Sequence, residues 1–182
     1  MNKIIPVWKE KGISSYDVIR KIKHNISNVK IGHSGTLDPF AEGMMIICTG
    51  NKTKNISQYM SYDKVYESKI FIGKETDTLD LTGKTVQLKD VPKLTENKIL
   101  KAVSQFIGDI KQEPPMFSAL KVNGQPLYKL ARKGIKIPRK NRAVTIYDIQ
   151  LINFTDRTIT LKVVCGRGTY IRSLAKDIAQ NL

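Results

Sequence analysis

The sequence predicts an α+β fold built on a mixed, largely antiparallel sheet flanked by helices. Three features predict it. Strand-like and helix-like segments follow one another without strict βα alternation. Two runs of β character, Ala143–Ile152 and Arg157–Cys165, are joined by the turn Asn153–Asp156, as in a hairpin. Other segments place apolar residues at helical spacing, the clearest being Ile171, Leu174, Ala175 and Ile178 near the C-terminus.

Taken in order, Lys3–Trp8 is a short apolar segment that reads as a strand, and Lys9-Glu10-Lys11-Gly12 turns. Ser14 and Ser15 both offer a helix N-cap, and Val18, Ile19, Ile22 and Ile26 share one face of a helix running to about Asn25. A glycine-rich loop from Gly32 to Gly43 leads into the apolar strand Met44–Cys48, and Gly50–Met60 combines a turn with a short helix. Lys64–Gly73 alternates, with Val65, Glu67, Lys69 and Phe71 on one face and Tyr66, Ser68, Ile70 and Ile72 on the other, which predicts a half-exposed antiparallel strand. Glu75–Lys84 is polar and reads as a loop closed by Gly83, followed by a short strand at Thr85–Leu88. Thr95 caps a helix whose Ile99, Val103, Phe106 and Ile107 share a face, and Gly108 ends it. Lys111–Arg142 has a different character. Pro114-Pro115, Gly124, Pro126, Gly134 and Pro138 interrupt it, and Lys and Arg crowd it. A core element does not read this way. It predicts a long, basic, functional insertion with one short helix near Leu127–Lys133.

The 182 residues are near the size of one domain, and hydrophobic residues make up 41% of them, enough for a core. Lys and Arg number 31 against 16 Asp and Glu, a formal charge of +15. Such an excess attracts polyanions and points to nucleic acid. Cys48 and Cys165 lie in apolar contexts and read as two buried free thiols. His24 and His33 stand alone, so no metal is expected, and no motif calls for a cofactor. The segment Met1–Pro6 lacks the apolar core of a signal peptide, and no run is long enough to cross a membrane, so a cytoplasmic protein is expected.

The chemistry concentrates in Gly32-His33-Ser34-Gly35-Thr36-Leu37-Asp38-Pro39-Phe40-Ala41-Glu42-Gly43. Glycines at three points relax the backbone, which an ordinary Asp-Pro turn rarely needs. Leu37 can pin the loop to a core while Asp38 points outward. An oriented, ionised aspartate can act as a nucleophile, and its ordinary pKa of about 3.9 keeps it anionic at neutral pH unless burial raises it. A cationic partner is therefore expected, best supplied by a planar guanidinium. Arg172, at the start of the last helix and off its apolar stripe, is the first candidate, and Arg167 is a second on local sequence. Tyr66 and Tyr170 are flat side chains on which an extruded base could stack. His33 is either a general base or a loop histidine packing beside RNA.

At these residues the sequence closely resembles the bacterial tRNA pseudouridine synthase B family, which isomerises the T-loop uridine (position 55) of tRNA. Gly32-His33-Ser34-Gly35-Thr36-Leu37-Asp38-Pro39, with Ala41 and Gly43, resembles the catalytic motif, and Asp38 falls on its nucleophile. Lys64-Val65-Tyr66 resembles the strand whose tyrosine stacks on the target base. Thr76-Asp77-Thr78, followed by Asp80 and Gly83, resembles another family segment. Gly168-Thr169-Tyr170-Ile171-Arg172 resembles the motif that supplies a substrate-contacting tyrosine and the arginine paired with the nucleophile. Glu113–Gly124 and Leu127–Gly134 are similar to the thumb loop that closes over the T-arm.

The resemblance implies a pseudouridine synthase catalytic fold over residues 1–182, with residues 111–142 as its thumb-loop insertion. It implies Asp38, Arg172 and Tyr66 as catalytic residues. It implies His33, Tyr66, Tyr170, Lys9 and Asp80 as substrate-binding residues. The expected partner is the T-arm of tRNA, with no obligatory protein partner. Two departures stand out: Lys9-Glu10-Lys11-Gly12 has glutamate where the family usually has proline, and the chain stops at Leu182, before the family's Leu-Arg-Arg segment and common C-terminal RNA-binding domain. The catalytic domain is accordingly expected to be C-terminally incomplete. A non-catalytic RNA-binding or RNA-folding module fits the same charge and insertion; a synthase that depends on a guide RNA or protein partner is a second alternative, although the guide-RNA-dependent relatives lack such a loop.

Overall fold

The computed structural model describes residues 1–26 and 28–182, which divide into two units, Met1–Tyr62 and Asp63–Leu182. In the first, β1 (Ile4–Lys9) pairs antiparallel with β3 (Gly43–Thr49), from Ile4 opposite Cys48 to Lys9 opposite Gly43. The short β2 (Ile31–His33) pairs with the other side of β3, His33 opposite Ile47. Between β1 and β2 runs α1 (Ser15–Asn25). Ser14 caps it: the Ser14 hydroxyl accepts from the Asp17 N–H, and the Asp17 carboxylate accepts from the Ser14 N–H. The helical spacing puts Val18 and Ile19 against Met45 and Ile47, with Ile5, Val7, Ile22 and Leu37 around them. Each such buried aliphatic side chain contributes about 1.5–3 kcal/mol. A 3₁₀ turn (Gly50–Asn55) and α2 (Ile56–Met60) complete the unit.

The second unit is built on a four-stranded antiparallel sheet, in the order β4-β11-β10-β7. β10 (Arg142–Phe154) and β11 (Thr158–Cys165) form the predicted hairpin. β4 (Lys64–Phe71) pairs along the whole of β11, Tyr66 opposite Val163. Alternation in β11 sends Ile159, Leu161, Val163 and Cys165 inward, where they meet Ile99 and Val103 of α3 (Glu96–Ser104) and Leu174 and Ile178 of α5 (Ile171–Gln180). β5 (Lys74–Thr76) and β6 (Thr85–Leu88) make a separate two-stranded ribbon.

Three details depart from the sequence reading. The strands form two sheets and two small ribbons instead of one sheet. The start of the expected loop at Glu75 pairs with β6, a ribbon too short to declare itself by alternation. The helix capped by Thr95 ends at Ser104: Phe106 still reaches the core, but Ile107 is 45% exposed.

The chain then enters β7 (Gly108–Gln112), which pairs with the beginning of β10 and places Gln112 opposite Arg142. The basic insertion therefore leaves and re-enters the sheet at one rung. Within it, β8 (Lys121–Val122) and β9 (Gln125–Pro126) form a small hairpin, followed by α4 (Leu127–Arg132). Pro114, Pro115, Ser118 and Leu127 are buried, so its first half is packed. Arg139 on its returning limb pairs with Glu113 on its outgoing limb, 2.5 Å apart. No helix among the described residues is long and apolar enough to cross a membrane.

Candidate functional site

Asp38 lies in the loop between β2 and β3, and the peptide units on both sides of it are latched. On one side the Leu37 N–H donates to the Ser15 hydroxyl at 2.9 Å, and that hydroxyl donates back to the Leu37 carbonyl at 3.0 Å. On the other, the Pro39 carbonyl accepts from the Gly12 N–H at 2.8 Å. The Ala41 N–H closes the turn onto the Asp38 carbonyl at 3.1 Å. Leu37 packs against the first core, as its position in the loop predicts.

Beneath this turn lies the Lys9 ammonium. Lys9 is completely buried. Its Nζ donates toward the carbonyls of Ala41 (2.5 Å), Glu10 and Ile13 (2.9 Å each) and Pro39 (3.5 Å). Burial pushes its pKa below the usual lysine value, and the negative charges of Asp38 and Glu42 partly restore it. A buried cation thus sits within electrostatic reach of Asp38. His33, half-buried, donates Nδ1–H to the Gly35 carbonyl at 2.6 Å.

The second unit holds the other predicted residues. Arg172 is 8% exposed, at the first turn of α5. Its Nη1 donates to the Thr78 carbonyl at 2.7 Å and stands 3.5 Å from the Asp80 carboxylate; its Nη2 donates to the Phe117 carbonyl at 2.8 Å. One fork therefore ties α5 to two separate chain segments, a task suited to five fixed donors and not to an ammonium. The second Asp80 oxygen accepts from the hydroxyls of Thr78 (2.8 Å) and Thr82 (2.6 Å) and from the Thr82 N–H (2.9 Å). Gly83 closes this loop where a Cβ would collide with the Thr78 and Asp77 side chains. Tyr66 is half-buried against the second core, and Arg167, the rival candidate, is exposed.

Tyr170 precedes α5. Its N–H donates to the Gln112 side-chain carbonyl at 2.8 Å, and the Ser173 hydroxyl donates to the Glu113 carbonyl at 2.7 Å. The first unit thus brings Asp38, Lys9 and His33 into one loop system, and the second brings Arg172, Asp80 and Tyr170 around the start of α5. Sequence reasoning missed Ser15, Gly12 and Gln112. Ser15 left a trace: in Ser14-Ser15-Tyr16-Asp17 one serine suffices for the cap, so the other is spare. Gln112 left none, because its role depends on a contact 58 residues away.

Residues 21–171 match the family described as TruB family pseudouridylate synthase (N terminal domain). The whole chain is 44% identical to the tRNA pseudouridine synthase B of Clostridium kluyveri and 45% identical to that of Fusobacterium nucleatum, and it spans 63% of the length of each. The corresponding protein of Listeria monocytogenes is 43% identical. Among solved structures, a chain of a Cbf5-Nop10-Gar1 complex superposes on 98% of this chain with a TM-score of 0.72 and 28% identity, this chain covering 44% of that one. A chain of an H/ACA RNP bound to a substrate RNA shares the fold at a TM-score of 0.69 and 23% identity.

Proposed function

The chain belongs to the TruB family of pseudouridylate synthases, and from that premise we propose that it isomerises a uridine of tRNA, the T-loop uridine at position 55, to pseudouridine in the cytoplasm. The reaction breaks the N1–C1′ bond, turns the base and forms a C5–C1′ bond. The observation that carries this reading is the double latch on either side of Asp38. It fixes the main chain that carries this carboxylate, a support that nucleophilic or proton-abstracting work requires and a surface turn does not.

In this mechanism the positive surface and the basic insertion, residues 111–142, capture the T-arm, and the uridine is extruded onto Tyr66. Asp38 either attacks C1′ or removes a sugar proton to give a glycal; both routes need the carboxylate ionised. Arg172 is assigned to Asp38 through the resemblance of their two motifs. Its burial supports a structured electrostatic role in preference to a solvated one. Tyr66 or water takes the final proton from C5, and Tyr170 and His33 line the base. Lys9 and Asp80 take new roles here. Their charged groups are engaged by the protein itself, so Lys9 supports the Asp38 turn and Asp80 orients Arg172. Both serve the substrate indirectly.

Identity of 43–45% to proteins named tRNA pseudouridine synthase B, against 28% to a chain of a Cbf5-Nop10-Gar1 complex, supports the reading of an enzyme working without a guide RNA or protein partner. Tritium release from tRNA carrying 5-³H-uridine tests the proposal. The isolated chain should turn over, and Asp38→Asn should bind T-arm RNA with unchanged affinity yet release no tritium. RNA binding without turnover by the unaltered chain would select the non-catalytic module instead.

A further inference from the structure

Gln112 is the last residue of β7, at the rung where the basic insertion departs. It is 2% exposed. Its Oε1 accepts the Tyr170 N–H at 2.8 Å, while its Nε2 is buried and has no hydrogen-bond partner among the described residues. Packing alone would be satisfied by a hydrocarbon side chain of similar length, without stranding amide donors away from water. What a hydrocarbon cannot supply is the acceptor.

That acceptor sits at a sensitive place. Tyr170 is the N-cap of α5, and its own side chain makes no capping bond. The Gln112 carbonyl therefore fixes the peptide plane from which α5 starts. Two further bonds follow along the same strap: Glu113 accepts from Ser173, and Phe117 accepts from Arg172. Residues 112–117 thus hold three of the four residues Tyr170–Ser173, with Gln112 acting through its side chain and the others through main-chain carbonyls.

We propose that Gln112 is a positioning residue: through its side-chain carbonyl it sets the direction of Tyr170 and Arg172, and it ties that direction to the foot of the basic insertion. The inference rests on the roles given above to Tyr170 and Arg172. It adds a link from the segment assigned to RNA capture to the side chains assigned to the reaction.

The test uses Gln112→Met, which keeps length and burial but removes the acceptor, and Gln112→Glu, which restores an oxygen there. In the methionine variant the Tyr170 amide should exchange with solvent about tenfold faster or more, with a displaced Arg172 guanidinium resonance. Its single-turnover rate should fall about 10- to 100-fold, while affinity for a T-arm hairpin stays within about threefold. The glutamate variant should recover Tyr170 protection and most of the rate. Unchanged Tyr170 exchange and Arg172 signal in Gln112→Met overturns the proposal. So does a parallel loss of melting temperature, affinity and rate, or a glutamate variant no better than methionine. Should the unaltered chain bind RNA without turnover, the synthase reading fails, and the exchange and resonance measurements still decide the place of Gln112.

Discussion

Ser15 and Leu37 are joined by a reciprocal pair of hydrogen bonds, the hydroxyl accepting from the Leu37 N–H and donating to its carbonyl. A helix residue thereby holds both main-chain groups of the residue before Asp38. Ser15→Ala leaves both main-chain groups without a partner in a site where Ser15 is 3% exposed. Stability should fall by about 1–3 kcal/mol, read in urea unfolding. Tritium release should fall more than RNA affinity, because the loop and not the surface proposed to bind RNA is loosened.

Lys9→Met removes the ammonium from under the same turn. The carbonyls of Glu10, Ile13, Pro39 and Ala41 lose a shared donor. A loss of at least about 2 kcal/mol is expected, with affinity for a T-arm hairpin unchanged. A large drop in affinity with unaltered stability would return Lys9 to direct substrate contact.

Arg172→Lys keeps the charge and loses the fork. The Thr78 and Phe117 carbonyls and the Asp80 carboxylate cannot all be reached by one ammonium. Turnover should drop by about 100-fold or more, as for other losses of a positioned donor. A double-mutant cycle with Asp80→Asn should show coupling of about 1 kcal/mol or more in stability, since the two side chains meet out of water.

Cys48 and Cys165 are both completely buried, and burial raises both thiol pKa values above the ordinary 9.0. Neither should react with iodoacetamide at pH 8 until the chain is unfolded. A raised folded-state pKa means that the folded chain holds these protons when the unfolded chain has released them. Their contribution to stability is therefore whole below pH 9 and is lost as pH rises through the folded-state values. Replacing both by alanine should flatten the alkaline arm of the stability profile.

Much of the fold was legible because its signals are local. The spacing of Val18, Ile19 and Ile22, the alternation of β4 and the stripe of α5 each reveal one element and its buried face. The candidate site was legible at its charged residues and opaque at its supports. Of the three glycines read as relaxing the loop, only Gly43 has a positive φ, at +151°; Gly32 instead lies where a Cβ would meet the Ile56 side chain. The latches from Gly12, Ser15 and Gln112 depend on chain segments meeting in space, which no spacing rule encodes. The division into two units also escaped, because Met60–Lys64 carries no glycine or proline to mark it.

The pairing of Gln112 with Arg142 has an evolutionary corollary. Everything between them departs and returns at a single crossing, so residues beyond Phe117 can be added or deleted without shifting the register of the four-stranded sheet. Exchanging only the part of that excursion beyond Phe117 would give the protein a different outer surface while Gln112, Glu113 and Phe117 keep their hold on α5.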